Sequence, residues 1–367
     1  MVSLFLCGDV MTGRGIDQAL PHPAAPELHE SYIRDARAYV TLAEERNGPF
    51  LTPLGFADLW GDALVALNQY APDARIINLE TSVTTSDEWW PDKGIHYRMN
   101  PANVPCLTAA RIDCCVLANN HVLDWGYPGL RQTLATLRGA GIATAGLGEN
   151  LDEALRPAVL DVGPRGRVLV FSVGEEGSGI PPRWAATEHR PGVAFLPDLS
   201  VETARHLGRQ VTAHRREGDV VVVSVHWGGN WGYAVPEAQR TFAHALIDEA
   251  GVDILHGHSS HHSRGIEVHQ GKLILYGCGD FLNDYEGIHG YESFRSDLVL
   301  MYLVSFDARS GRLGHLRMRP MQLHQLRPRH ASREDAEWLR RVMDREGRRL
   351  GTRVHLDDTG ALFLQWA

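Results

Sequence analysis

Short apolar runs that stop abruptly on polar residues recur along this chain, and between them the apolar spacing lengthens to a helical period. Residues 3–7 run into Gly8-Asp9, and 74–77 into Asn78-Leu79-Glu80. Residues 113–118 run into Asn119-Asn120-His121, followed at once by Val122-Leu123-Asp124. Residues 220–225 stop at His226-Trp227-Gly228, and 252–255 at His256-Gly257-His258-Ser259-Ser260-His261-His262. Unbroken apolar runs of this length predict strands covered on both faces. The helical spacing predicts helices over 57–70, 128–140, 198–217, 236–250 and 333–350, the second closed by Gly139-Ala140-Gly141 and the fourth opened near Pro236. Strands alternating with helices predict an α/β fold, and 273–276 and 298–304 add strands of a second sheet.

Three irregular stretches break the alternation. Residues 20–52 and 84–105 carry Pro, charged and aromatic side chains, including Trp89-Trp90-Pro91. At a rim such insertions form walls or lids over a site; a solvated excursion is the other reading. Residues 174–196 are rich in Gly but lack the GxxxxGK[ST] phosphate loop.

The chain has 367 residues, which allows one large domain over 1–305, with a C-terminal extension over 306–367 packed on the same body. A formal charge of −9 without a long basic run gives no electrostatic reason to expect nucleic acid. No segment holds the roughly 20 apolar residues that span a bilayer, and the start lacks the basic region of a signal peptide. A cytoplasmic protein with reduced thiols is expected, since the five cysteines are odd in number and lack CxxC spacing.

Five strand ends thus deliver Asp, Glu, Asn and several His to what could be one rim, where α/β proteins build sites. One such residue alone caps a helix or closes a turn more often than it catalyses. Together, oxygen and nitrogen donors without a thiolate suit a hard or borderline metal, or acid and base work by carboxylate and imidazole.

The ordered motifs Cys-Gly-Asp-Val-Met from Cys7, Asn-Leu-Glu from Asn78, Ala-Asn-Asn-His-Val-Leu-Asp-Trp-Gly from Ala118, Val-His-Trp-Gly from Val225, Gly-His-Ser-Ser-His from Gly257 and Tyr-Gly-Cys-Gly-Asp-Phe from Tyr276 resemble the CapA-type proteins of poly-γ-glutamate capsule synthesis. That family is related in fold to the calcineurin-like metallophosphoesterases. The resemblance implies a four-layered α/β/β/α sandwich, with Asp9, Glu80, Asn120, His226 and His261 as ligands of one or two divalent ions (Mn, Zn or Fe), and His121 beside the scissile group. It also admits a metal-free site in which Asp9 pairs with His261 or His258 as acid and base. Departures from the phosphoesterase pattern are Met11 in place of a ligand, Glu80 in place of a Gly-Asp segment, and Ser259 where many CapA-type proteins carry His.

Three functions remain open on these residues. They are a metal-assisted hydrolase or acyl-transfer enzyme acting on a phosphoester or a glutamyl or peptide amide, a metal-independent peptide epimerase, and a binding protein that uses Trp89, Trp90 and Trp231. Arg14 could bind an anionic group or pair with a carboxylate, and Asp124 could orient His121 or cap a helix. The acidic stretch 279–286 reads as a solvated turn or part of the rim, and His262, His269 and His289 have no assignable partner.

Overall fold

The computed structural model describes residues 1–367. It is a mixed α/β structure built on two large sheets. The ten-stranded sheet runs in the order Thr352–Leu356, Leu362–Trp366, Arg312–His324, Leu298–Asp307, Val2–Val10, Ala74–Leu79, Cys114–Val116, Ala143–Ala145, with Arg327–His330 and Asp280–Leu282 paired to the side. The seven-stranded sheet runs Phe195–Leu196, Arg167–Glu175, Val220–His226, Ile254–His258, Lys272–Leu275, Ile266–His269, with Ala158–Asp161 beside the second of these.

Strand alternation decides what each face buries. Leu4, Leu6, Ile76 and Val116 share one apolar cluster with Val168, Val170, Val220 and Val222 of the other sheet, so the sheets pack face to face. Their neighbours in sequence, Phe5, Ile77 and Cys115, point outward onto Leu67, Leu130, Leu134 and Leu137 of helices Gly61–Tyr70 and Gly126–Gly139. On the far side Val221, Val223, Val225 and Leu255 meet Leu207, Val211, Phe242 and Leu246 of helices Val201–His214 and Glu237–Ala250. Each fully buried aliphatic side chain contributes about 1.5–3 kcal/mol, which makes these three clusters the main source of stability.

Two strands expected to share the second sheet are divided between the two. Lys272–Leu275 does lie beside Ile254–His258, but Leu298–Asp307 runs antiparallel to Val2–Val10 in the ten-stranded sheet. An apolar run does not encode its partner; here the long antiparallel ladder with Arg312–His324 fixes the placement. The five expected helices are present, and the insertion over 20–52 contains one more, Arg37–Asn47.

The expected polar strand ends lie partly within the strands, because parallel pairing continues through them. Asp9 is in register with both Asn78 and Asp280, and His226 with His258. The approach at Asp9 is close: its N–H donates to the Gly279 carbonyl at 2.9 Å, and a Cβ on Gly8 would lie 1.6 Å from that oxygen. Only glycine fits at position 8.

Candidate active site

The parallel strands of both sheets end on one side, and their last residues converge. Asp9 is the common member of two donor groups, Asp9 with His226 and His258, and Asp9 with His261 and Asp280; within each group one ligand atom per residue lies within 4.8 Å of the others. Asn78 donates to Asp9 Oδ1 at 2.7 Å and the Ser259 N–H to Oδ2 at 3.3 Å. Glu80 is buried, with its Oε1 3.7 Å from His226 Nε2, and Asn120 Oδ1 lies 2.9 Å from the same nitrogen. The five expected ligands are therefore brought together.

The protons of the histidine chain can be followed from the one partner that only accepts, the Cys7 carbonyl. His256 Nε2 donates to it at 2.7 Å, leaving His256 Nδ1 to accept from the Ser224 hydroxyl at 3.2 Å. Ser224 Oγ then accepts from His258 Nε2 at 2.7 Å, so His258 Nδ1 is bare. On the other side His226 Nε2 donates to Asn120, which leaves His226 Nδ1 bare as well. These two lone pairs face each other at 2.6 Å. Such an arrangement repels unless a proton or a cation lies at it.

The carboxyl groups carry the complementary strain. Burial, then the charge of Asp280, pushes Asp9 up to about 7. Burial, then Asp9 and Asp280, pushes Glu80 well above the usual carboxylate range. Excess buried negative charge beside bare imidazole nitrogens is a donor set that fits a divalent cation.

Two further histidines are driven in opposite directions. Burial holds His121 well below its ordinary value, and the nearby charges of Lys93 and Arg14 add to it. Burial opposes the charge on His261, but the Asp280 charge and its hydrogen bond at 2.9 Å overcome that and raise the group. Asn283 in turn holds Asp280 Oδ2 at 2.8 Å. Asp124 performs one of its two expected tasks: its Oδ2 sits 2.7 Å from His121 Nδ1, whereas it caps no helix and instead accepts the Tyr97 N–H at 2.6 Å. The Tyr97 ring stacks on His121 with centroids 3.8 Å apart, and its hydroxyl meets that of Tyr285 at 2.8 Å.

Two residues, Asp280 and Lys93, escaped sequence reasoning. Asp280, read as part of a turn or rim, is buried in a strand beside Asp9. His258, already expected at the site, is a member of the donor cluster, its Nδ1 3.8 Å from Asp9 Oδ1. Lys93 reaches in from the 84–105 insertion and donates to Asp124 and to the Asn120 carbonyl. Only Asp280 carried a signal, its place in the Gly-Cys-Gly-Asp-Phe motif.

Arg14 is used differently from an anion-binding residue. It is buried, and its guanidinium is committed to Asp284, to Glu30 at 2.9 Å and to the Tyr39 hydroxyl at 2.8 Å. Of the three tryptophans, Trp231 adjoins the donors: its ring is 5.4 Å from His261, stacks on Tyr291 at 4.1 Å, and lines a cavity of about 380 Å³ with Asn283 and Tyr285. Trp89 stacks on His29 and Trp90 packs edge-on against Trp184 and Tyr127, so both form a wall built by the insertions.

Residues 3–285, which span every donor of the site, match the family described as bacterial capsule synthesis protein PGA_cap. The chain belongs to the PGA_cap family. It is 51% identical over 355 residues to a protein of Mycobacterium tuberculosis named probable polyglutamine synthesis accessory protein, covering 96% of this chain and 93% of that one. It is 28% identical over 261 residues to the PGA biosynthesis protein CapA of Bacillus subtilis, covering 68% and 62%. The capsule biosynthesis protein CapA of Bacillus anthracis is 29% identical over 195 residues, covering 53% and 45%. In this PGA_cap chain no helix is long and apolar enough to cross a membrane.

Proposed function

We propose that this chain is a metal-assisted hydrolase or acyl-transfer enzyme acting on a glutamyl amide, in the assembly or trimming of a polyglutamate chain. The observation that carries the reading is the pair of Nδ1 atoms of His226 and His258 facing each other at 2.6 Å beside Asp9, next to a second donor pair, His261 and Asp280. The relatives' names, polyglutamine synthesis accessory protein and PGA biosynthesis protein, favour the glutamyl amide over a phosphoester as the bond acted on. Two face-to-face sheets with helices on both outer faces support the relationship to the metallophosphoesterase sandwich.

Asp9, His226 and His258 would hold one ion and Asp9, His261 and Asp280 a second, with Glu80 and Asn120 at the edge of the first. When bound, divalent metal at these donors supplies Lewis-acid polarisation of a substrate oxygen. The remaining work falls to the chain itself. His121, with its Nδ1–H held by Asp124, offers a bare Nε2 as a proton acceptor. Where the second donor set holds no ion, His261, whose charged form Asp280 favours, is suited to give a proton to the leaving amine. Environments that push two titratable groups apart in this way separate base from acid. Trp231 and Tyr291 would flank the extended substrate where the cavity opens beside His261.

The test is incubation of the purified chain with γ-glutamyl oligomers, reading new amine termini by mass spectrometry with and without chelator. Metal-dependent cleavage or transfer that His261→Ala abolishes supports the reading; full activity in strong chelator sinks it. A second reading rests on Asp9 and His261 themselves, a carboxyl near 7 beside an imidazole of raised pKa. That pair could exchange a proton at an α-carbon, and deuterium uptake by a peptide from heavy water in chelator would favour epimerisation instead.

A further inference from the structure

A second cluster of metal-ligand side chains lies on the outer face of the seven-stranded sheet, apart from the catalytic side. Helix Glu237–Ala250 presents His244 and Asp248, four residues apart and so on one face. The edge strand Ile266–His269 presents Glu267 and His269, two residues apart and again on one face. One ligand atom from each of His244, Glu267 and His269 lies within 4.8 Å of the other two.

We infer that His244, Glu267, His269 and Asp248 form a structural binding site for a zinc-class divalent ion that clamps the edge strand to the helix. The donor set is two imidazoles and two carboxylates, the nitrogen and oxygen chemistry that a four-coordinate borderline ion takes. The imidazole rings lie parallel within 6° at 3.9 Å, and each turns its Nε2 to a carboxylate oxygen: His244 to Glu267 at 3.0 Å and His269 to Asp248 at 2.8 Å. An ion there takes the place of the imidazole protons in those two contacts, after a small turn of the rings to bring both lone pairs onto one point.

Glu267 is held for the task. It is buried, and the Tyr276 hydroxyl donates to its Oε2 at 2.7 Å, which leaves Oε1 directed at His244. Such outer partners orient a ligand carboxylate. The histidine side chains are 27% and 21% exposed, so an ion can enter from solvent. Arg240 is an opposing charge, 3.7 Å from Glu267 Oε1, beyond hydrogen-bond range, with its side chain 35% exposed. The strand so clamped is the last of the seven-stranded sheet, and its Ile266 carbonyl accepts from the Thr352 hydroxyl at 2.7 Å.

The test uses the full chain stripped of metal, dialysed against zinc chloride and analysed for zinc per chain, with its melting temperature read alongside. The Asp9→Asn chain should keep one zinc equivalent and a zinc-dependent rise in melting temperature. His269→Gln in that background, a conservative change at a partly exposed strand end, should lose both, with zinc affinity at least tenfold weaker. Equal zinc content and an equal thermal rise in the two chains would overturn the site. Because Asp9 is already removed in both, that result would not bear on the catalytic proposal.

Discussion

His226 and His258 sit side by side across a parallel strand pair with their Nδ1 atoms 2.6 Å apart. The Ser224–His256–Cys7 relay behind one and Asn120 behind the other occupy the remaining nitrogens. The strands hold the two nitrogens face to face, where a proton or a cation would satisfy both.

Asp9 is central to both donor groups, so Asp9→Asn should weaken divalent metal binding at this site at least about tenfold. The same change removes one of three mutually repelling buried carboxylates, so the metal-free chain should melt no lower than wild type in chelator. A marked loss of stability in chelator would show that Asp9 is a structural residue.

Arg14 is predicted to act on stability and leave substrate affinity alone. Arg14→Met strands Asp284 and Glu30 as buried carboxylates and should cost about 3–5 kcal/mol. Urea unfolding measures the loss; a variant of native stability with a raised KM would restore the anion-binding role that its position after Asp9 suggested.

Lys93→Met should cost about 2 kcal/mol by leaving Asp124 without its cation, and should also disturb His121, which Asp124 orients. Unfolding midpoints and the His121 ring signals by NMR report the two effects separately. If neither moves, Lys93 has no part in holding the site.

Ser259 stands at φ 100°, a conformation costly for any side chain, while its N–H reaches Asp9 and its hydroxyl donates to the Gly228 carbonyl at 2.9 Å. Ser259→Gly should be more stable than Ser259→Ala by about 1 kcal/mol, since both lose the hydroxyl and only glycine relieves the backbone. Equal stability of the two would show that the backbone is not strained there.

Acid should unfold the chain through its paired carboxylates. Burial would raise Asp219, Asp297 and Asp344, but the guanidiniums of Arg167, Arg295 and Arg348 more than reverse this and hold all three below the usual range. A depressed folded-state pKa adds stability that is complete above the unfolded value of about 3.9 and lost as pH falls through the folded value. Stability should therefore drop steeply below about pH 4, and Asp344→Asn should make that drop shallower. Parallel pH curves for the two chains would contradict the assignment.

Much of the site was legible because strand-end chemistry is local. A buried apolar run that stops on Asp, Asn or His announces both the strand and its functional end, which is why Asp9, Glu80, Asn120, His226 and His261 were brought together as expected. Lys93 and the partners of Arg14 were not legible, for the opposite reason. A lysine in an insertion and an arginine in a first turn have roles set by partners far along the chain, here Asp124 and Asp284. The sheet membership of Leu298–Asp307 depended likewise on pairing with Val2–Val10 across nearly the whole sequence.

The most direct test of the central claim is metal per chain, by elemental mass spectrometry, on protein purified without chelator, comparing wild type with an Asp9→Asn, His258→Ala double variant. The account predicts one or two equivalents of a divalent transition metal in wild type that the variant lacks, over and above any ion held at His244 and His269. Equal metal in both chains, or a metal-free wild type that still acts on glutamyl oligomers, would contradict it.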